Sequence, residues 1–127
     1  MSNTLIIIPS RMSATRLPGK PLLKIKGRAI ISHVFKKAKE CNIGKVLVAA
    51  EDKVIVNEVK KSGGNAVLTS KKHKSGTDRI WEAYQKVKNK NVKYIINLQG
   101  DEPLIDVKDI RNLNKIVKKY KLHIGTL

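Results

Sequence analysis

Short runs of β-branched and aliphatic residues alternate along this chain with segments of helical period, and that alternation leaves few folds open. Leu5 to Ile8, Val46 to Ala49, Ala66 to Leu68, Tyr94 to Leu98 and Leu122 to Leu127 read as five short strands. They are apolar throughout rather than every second residue, as expected of strands buried on both faces of a parallel sheet. Between them lie four helical stripes. The first is Ile30, Ile31, Val34, Phe35 and Ala38, and the second is Val54, Ile55 and Val59, closed by Gly63-Gly64. The third is Ile80, Trp81, Tyr84 and Val87, with Ser75 or Thr77 as its cap. The fourth is Ile110, Leu113, Ile116, Val117 and Tyr120, with Asp106 near its start. This β-α-β-α-β-α-β-α-β order predicts a mostly parallel α/β sheet covered by helices on both faces.

The 127 residues suit one domain with one core. No apolar run reaches the roughly 18 residues a membrane span needs. Leu5 to Ile8 ends at Pro9 with no basic segment before it, unlike a secretory signal, so a cytoplasmic location is expected. The single cysteine, Cys41, reads as an ordinary helix-end residue. A net charge of +17 invites a nucleic-acid partner. The excess is mostly lysine, with only five arginines, and much of it falls on solvent faces such as Lys36, Lys37, Lys60, Lys61, Lys118 and Lys119. Aromatics are 4%, too few for base-stacking platforms, so no specific nucleic acid is expected. The chain stops on an apolar strand, where a domain should not end, so residues 1–127 are read as part of a single domain with sequence missing; the resemblance given below implies that they are its N-terminal part and that the C-terminal half is absent.

Ligands of open parallel sheets bind beyond the carboxyl ends of the strands, and three unusual loops all follow strands. The first runs from Pro9 to Leu22, long for a strand-to-helix link. Arg11, Arg16 and Lys20 supply three cations, Ser10, Ser13 and Thr15 supply hydroxyls, and Gly19 permits close backbone approach. That set suits a triphosphate, since arginine binds phosphate bidentately and lysine acts as a point charge. It is not a Walker A loop, because Ala14 replaces the first glycine and Pro21 follows the lysine. The plainer reading is a solvated basic loop. The second loop, Thr69 to Arg79, puts Ser75 and Thr77 at a helix N-terminus, where capping alone would explain them. The third, Asn97 to Pro103, places Asp101 and Glu102 directly after a buried strand. Hard Mg²⁺ takes one or two carboxylates with substrate phosphates, so this is a candidate metal seat as well as a polar turn.

Four motifs carry a resemblance: Ile8-Pro9-Ser10-Arg11, Thr15-Arg16-Leu17-Pro18-Gly19-Lys20-Pro21-Leu22, His73-x-Ser75-Gly76-Thr77-x-Arg79, and Asn97-x-Gln99-Gly100-Asp101-Glu102-Pro103. Together they resemble the 3-deoxy-manno-octulosonate (KDO) cytidylyltransferase family, across essentially the whole chain and about the first half of a typical member. The related acylneuraminate cytidylyltransferases have a Gly-Gly-Ser-Lys phosphate loop and lack Gln-Gly-Asp-Glu-Pro.

The resemblance implies a Rossmann-like nucleotidyltransferase fold, usually in a homodimer. It implies transfer of CMP from CTP to KDO, giving CMP-KDO and pyrophosphate for lipopolysaccharide synthesis. Arg11, Arg16 and Lys20 would hold the CTP phosphates, with Arg11, Lys20 and Asp101 the catalytic set. Ser75, Gly76, Thr77, Arg79 and Gln99 would line the cytidine pocket, and Asp101 would hold Mg²⁺. Two departures stand out. Pro9-Ser10-Arg11 replaces the frequent Pro-Ala-Arg, and Ala50-Glu51 replaces the usual Thr-Asp, so no role passes to that pair. The alternatives are a cytidylyltransferase for another sugar acid, an inactive fragment, or a basic binding protein on the same fold.

Overall fold

The computed structural model describes residues 4–12, 20–72, 76–87, 92–98 and 124–126. Five strands form one sheet: β1 (Thr4–Ser10), β4 (Lys45–Ala50), β5 (Ala66–Leu68), β6 (Tyr94–Asn97) and β7 (Ile124–Thr126). Their order is β5-β4-β1-β6-β7, and every neighbouring pair is parallel. The expected α/β architecture and the fifth strand are therefore present. The fourth expected helix, with Asp106, lies outside the described residues.

Alternate residues of each strand face opposite ways and build two cores. On one face Ile6, Ile8, Val46, Val48 and Ile96 pack against helices α1 (Ile30–Glu40) and α2 (Lys53–Lys61). On the other, Leu5, Ile7, Leu47 and Ile95 pack against α3 (Gly76–Val87). Ile6, Ile7 and Ile8 are all fully buried, which explains the uninterrupted apolar run.

Helix α2 ends as its glycines require. Gly63, at φ +86°, donates its N–H to the Lys60 carbonyl, and Gly64 donates to that of Val59, the paired bonds of a Schellman stop. Helix α3 starts at Gly76, which puts Thr77 inside the helix and excludes it as the cap. Ser75 is outside the described residues. Cys41 caps α1, buried, with its thiol on the Lys37 carbonyl.

Two helical faces differ from the sequence reading. Trp81 is 56% exposed and Val87 40%, and the buried face of α3 is Ile80 and Ala83 with Arg79. A helix turns about 100° per residue, so a face through Ile80 swings Trp81 outward, where its ring lies 5.8 Å from that of Tyr84. Val54 is likewise exposed, and Val56 takes its place beside Ile55 and Val59.

A small hairpin absent from the sequence reading precedes α1. Strands β2 (Lys24–Ile25) and β3 (Arg28–Ala29) pair antiparallel around Lys26 and Gly27, both at positive φ. That is the backbone a two-residue primed turn demands. His33 Nε2 lies 2.7 Å from the Ile25 carbonyl and ties the hairpin to the helix.

Candidate functional site

The chain winds from β1 outward in both directions, with β4 and β5 on one side and β6 and β7 on the other. The switch point therefore lies between β1 and β6, where diverging connections open a crevice beyond the strand ends. The first and third unusual loops leave from those two strands, Arg11 following β1 and Gln99 following β6. The second leaves from β5.

The β1 exit is tied down on both sides of the long loop. Ser10 is buried, Arg11 and Met12 are half-buried, and Met12 packs against the core under α1 and α2. The Met12 N–H donates to Asp52 Oδ2 at 3.0 Å. At the far end Lys20 opens a single 3-10 turn, Lys20–Leu22, and Leu22 returns to the same core. Arg16 lies among residues 13–19, outside those described.

Asp52 occupies the N-cap position of α2 but makes no side-chain cap bond; its carboxylate serves the loop instead. Sequence reasoning missed this residue. Its one visible sign was an acidic residue just ahead of a helical stripe.

Arg79 sits near the start of α3 with only 3% of its surface exposed. Its guanidinium pairs with Glu51, Nη2 to Oε2 at 3.2 Å, and its Nε–H donates to Thr69 Oγ1 at 3.2 Å. Glu51 follows β4 and Thr69 follows β5, and the two strand ends are joined by Thr69 N–H to the Ala50 carbonyl at 2.8 Å. A buried charge is tolerated where it is paired and hydrogen-bonded. Glu51, left without a role on sequence grounds, supplies that pairing.

At the β6 exit, Asn97 is 6% exposed and its Oδ1 has no hydrogen-bond partner among the described residues. The same holds for Ser10 Oγ. Buried polar atoms of this kind are uncommon and carry a cost unless something else satisfies them. Leu98 N–H donates to the Ile7 carbonyl at 3.1 Å, extending the parallel pairing to the residue before Gln99. Gln99, Asp101 and Glu102 lie outside the described residues, as does Ser75; Gly76 and Thr77 open α3. Among the described residues no cluster of three His, Cys, Asp or Glu side chains could seat a metal.

The structure thus puts Arg11 and Lys20 at the two ends of the loop leaving β1, and Arg79, Gly76 and Thr77 in the first turns of α3.

Residues 5–122 match the cytidylyltransferase family. The chain is 46% identical over 127 residues to the 3-deoxy-manno-octulosonate cytidylyltransferase of Elusimicrobium minutum, covering 99% of this chain and 51% of that protein. It is 47% identical over 122 residues to that of Fusobacterium nucleatum, covering 95% of this chain and 49% of the relative. Among solved structures, CMP:2-keto-3-deoxy-manno-octonic acid synthetase complexed with CTP superposes with a TM-score of 0.84 at 40% identity, over 93% of this chain and 48% of the other. A cytidylyltransferase from Leptospira borgpetersenii superposes at 0.74 with 26% identity, over 91% and 49%. The chain spans about half the length of the curated relatives it matches. Its sheet has the nucleotidyltransferase fold of the CMP-KDO synthetase, and the chain belongs to the cytidylyltransferase family.

Proposed function

We propose that the full-length protein transfers CMP from CTP to KDO, releasing pyrophosphate. The observation that carries this is the superposition on a CMP-KDO synthetase complexed with CTP, at 40% identity over 93% of the chain. The family match, over residues 5–122, takes in the ends of β1, β5 and β6, from which all three unusual loops depart.

In this reading the anomeric hydroxyl of KDO attacks the α-phosphorus of CTP. A new oxygen–phosphorus bond forms, the bond from the α-phosphorus to the bridging oxygen breaks, and pyrophosphate leaves while the hydroxyl proton is lost. Arg11, Arg16 and Lys20 hold the phosphates and balance the charge that builds on the α-phosphoryl group and the leaving pyrophosphate. The seating of the loop ends by Asp52 and by Leu22 favours that role, because fixing both ends lowers the entropy lost on binding. Ser75, Gly76, Thr77 and Gln99 form the cytidine pocket, and Arg79, two residues beyond Thr77 in sequence, is held in its ion pair with Glu51.

Asp101 holds Mg²⁺, and the donor chemistry at this edge fits a hard cation. Asn97 Oδ1, a buried oxygen without a partner among the described residues, lies at the end of the strand leading to Asp101. Bound there, the ion would supply Lewis-acid stabilisation of the phosphoryl oxygens. The same reading places the protein in the cytoplasm as a homodimer, making an activated sugar acid for lipopolysaccharide. No helix among the described residues is long and apolar enough to cross a membrane.

Titration calorimetry of the full-length protein with Mg²⁺ tests the nucleotide assignment. CTP should bind more tightly than ATP or GTP. Equal binding of all three removes the cytidine pocket from the account.

A further inference from the structure

Arg79 is spent on the protein itself. Its Nε and Nη2 are both engaged, and 3% exposure leaves the group almost no open surface. What it joins is specific: the residue after β4, the residue after β5 and the start of α3. The same side of α3 continues the pattern. Glu82 Oε1 accepts the Ser70 N–H at 2.9 Å. Lys86 pairs with Glu82 at 3.0 Å and donates to the Leu68 carbonyl. Positions 79, 82 and 86 recur at intervals of three and four, so one helical face is laid as a polar seam along the end of β5.

The consequence falls on the loop between β5 and α3. The chain is held on the β5 side at Leu68, Thr69 and Ser70, and on the α3 side at Arg79. The outer links are exposed; Lys86 has 47% of its side chain in water, and such pairs contribute little. The Glu51–Arg79–Thr69 link is buried, with side chains 4% and 9% exposed for the ion pair, and fixes the geometry.

We propose that Glu51 and Thr69 are positioning residues that hold Arg79, and through it fix the start of α3 against the ends of β4 and β5 before nucleotide arrives. Arg79 itself then acts by placing α3 and not by touching CTP. The inference rests on the reading that this loop forms the cytidine pocket.

The test uses the full-length protein with Glu51→Gln, Thr69→Val, Arg79→Met and the Glu51→Gln/Arg79→Met pair. CTP dissociation constants and steady-state kinetics are measured, with hydrogen exchange of the amides between residues 70 and 78 followed without nucleotide. Glu51→Gln should weaken CTP binding about tenfold, through KM far more than kcat, because displaced groups bind poorly. Thr69→Val, the mildest change, should move KM the same way by a smaller factor with folding intact. The paired variant should bind CTP no more weakly than Arg79→Met alone, since one broken partner already frees the other. Exchange between 70 and 78 should speed up in all four. Additive losses in the pair would show that Glu51 does not act through Arg79, and that result, or unchanged exchange and KM in Glu51→Gln and Thr69→Val, would overturn the positioning role. A parent protein that binds no CTP would instead sink the nucleotide reading, with the exchange data still reporting on the link.

Discussion

Replacing Asp52 by alanine should loosen the loop leaving β1 without altering any residue on it. The Asp52 carboxylate reaches across forty positions of chain to the Met12 N–H at 3.0 Å. A hydrogen bond to a charged acceptor is worth roughly 1.5–3 kcal/mol, and partial exposure puts this one near the lower end. Asp52 also stands at the N-cap position of α2, where a negative charge adds about 0.3–1 kcal/mol. It makes no side-chain cap bond there, so no further capping loss is counted. Together Asp52→Ala should cost about 2 kcal/mol. In a full-length protein about twice the length of this chain that is a fall in Tm of roughly 4–8 °C. Asp52→Asn keeps an oxygen acceptor and should lose about half as much. Because Arg11 directly precedes Met12, KM for CTP should rise several-fold in Asp52→Ala while kcat changes less. Differential scanning calorimetry and steady-state pyrophosphate release read the two effects. Unchanged Tm and KM in Asp52→Ala would show that the loop is held by its core contacts alone.

Two further outcomes follow from particular residues. Gly64→Ala would set a Cβ 2.8 Å from Val59 Cγ1 and 3.0 Å from two ring carbons of Phe35, so thermal melts should show a loss of about 1–3 kcal/mol. Asp101→Asn should lower turnover roughly a hundredfold at saturating substrates with Tm nearly unchanged, the scale of one lost transition-state contact, and Glu102→Gln should do less.

The buried strands were legible because parallel strands covered on both faces must be apolar at every position, as Ile6, Ile7 and Ile8 are. The Gly63-Gly64 stop was legible for a similar reason, since few residues other than glycine accept its backbone. The β2–β3 hairpin was not. Strands of two residues carry no measurable period, and only Lys26-Gly27 hinted at the turn. Trp81 misled because helical spacing admits several overlapping stripes, and packing against the sheet selects one of them. Nor does a sequence order its own strands, so the switch point between β1 and β6 appeared only with the pairing. The roles of Glu51 and Asp52 depend on partners 28 and 40 positions away, which local pattern cannot supply. In a sequence, a buried ion pair and a solvated charge are spelled alike.

Transfer of CMP to KDO is read from its two products. The full-length protein is incubated with CTP, Mg²⁺ and either KDO or N-acetylneuraminate, and pyrophosphate and the sugar nucleotide are quantified, the latter by mass spectrometry. Stoichiometric CMP-KDO and pyrophosphate should form with KDO, and neither above background with N-acetylneuraminate. Pyrophosphate released only with the other sugar acid, or none with either, would contradict it.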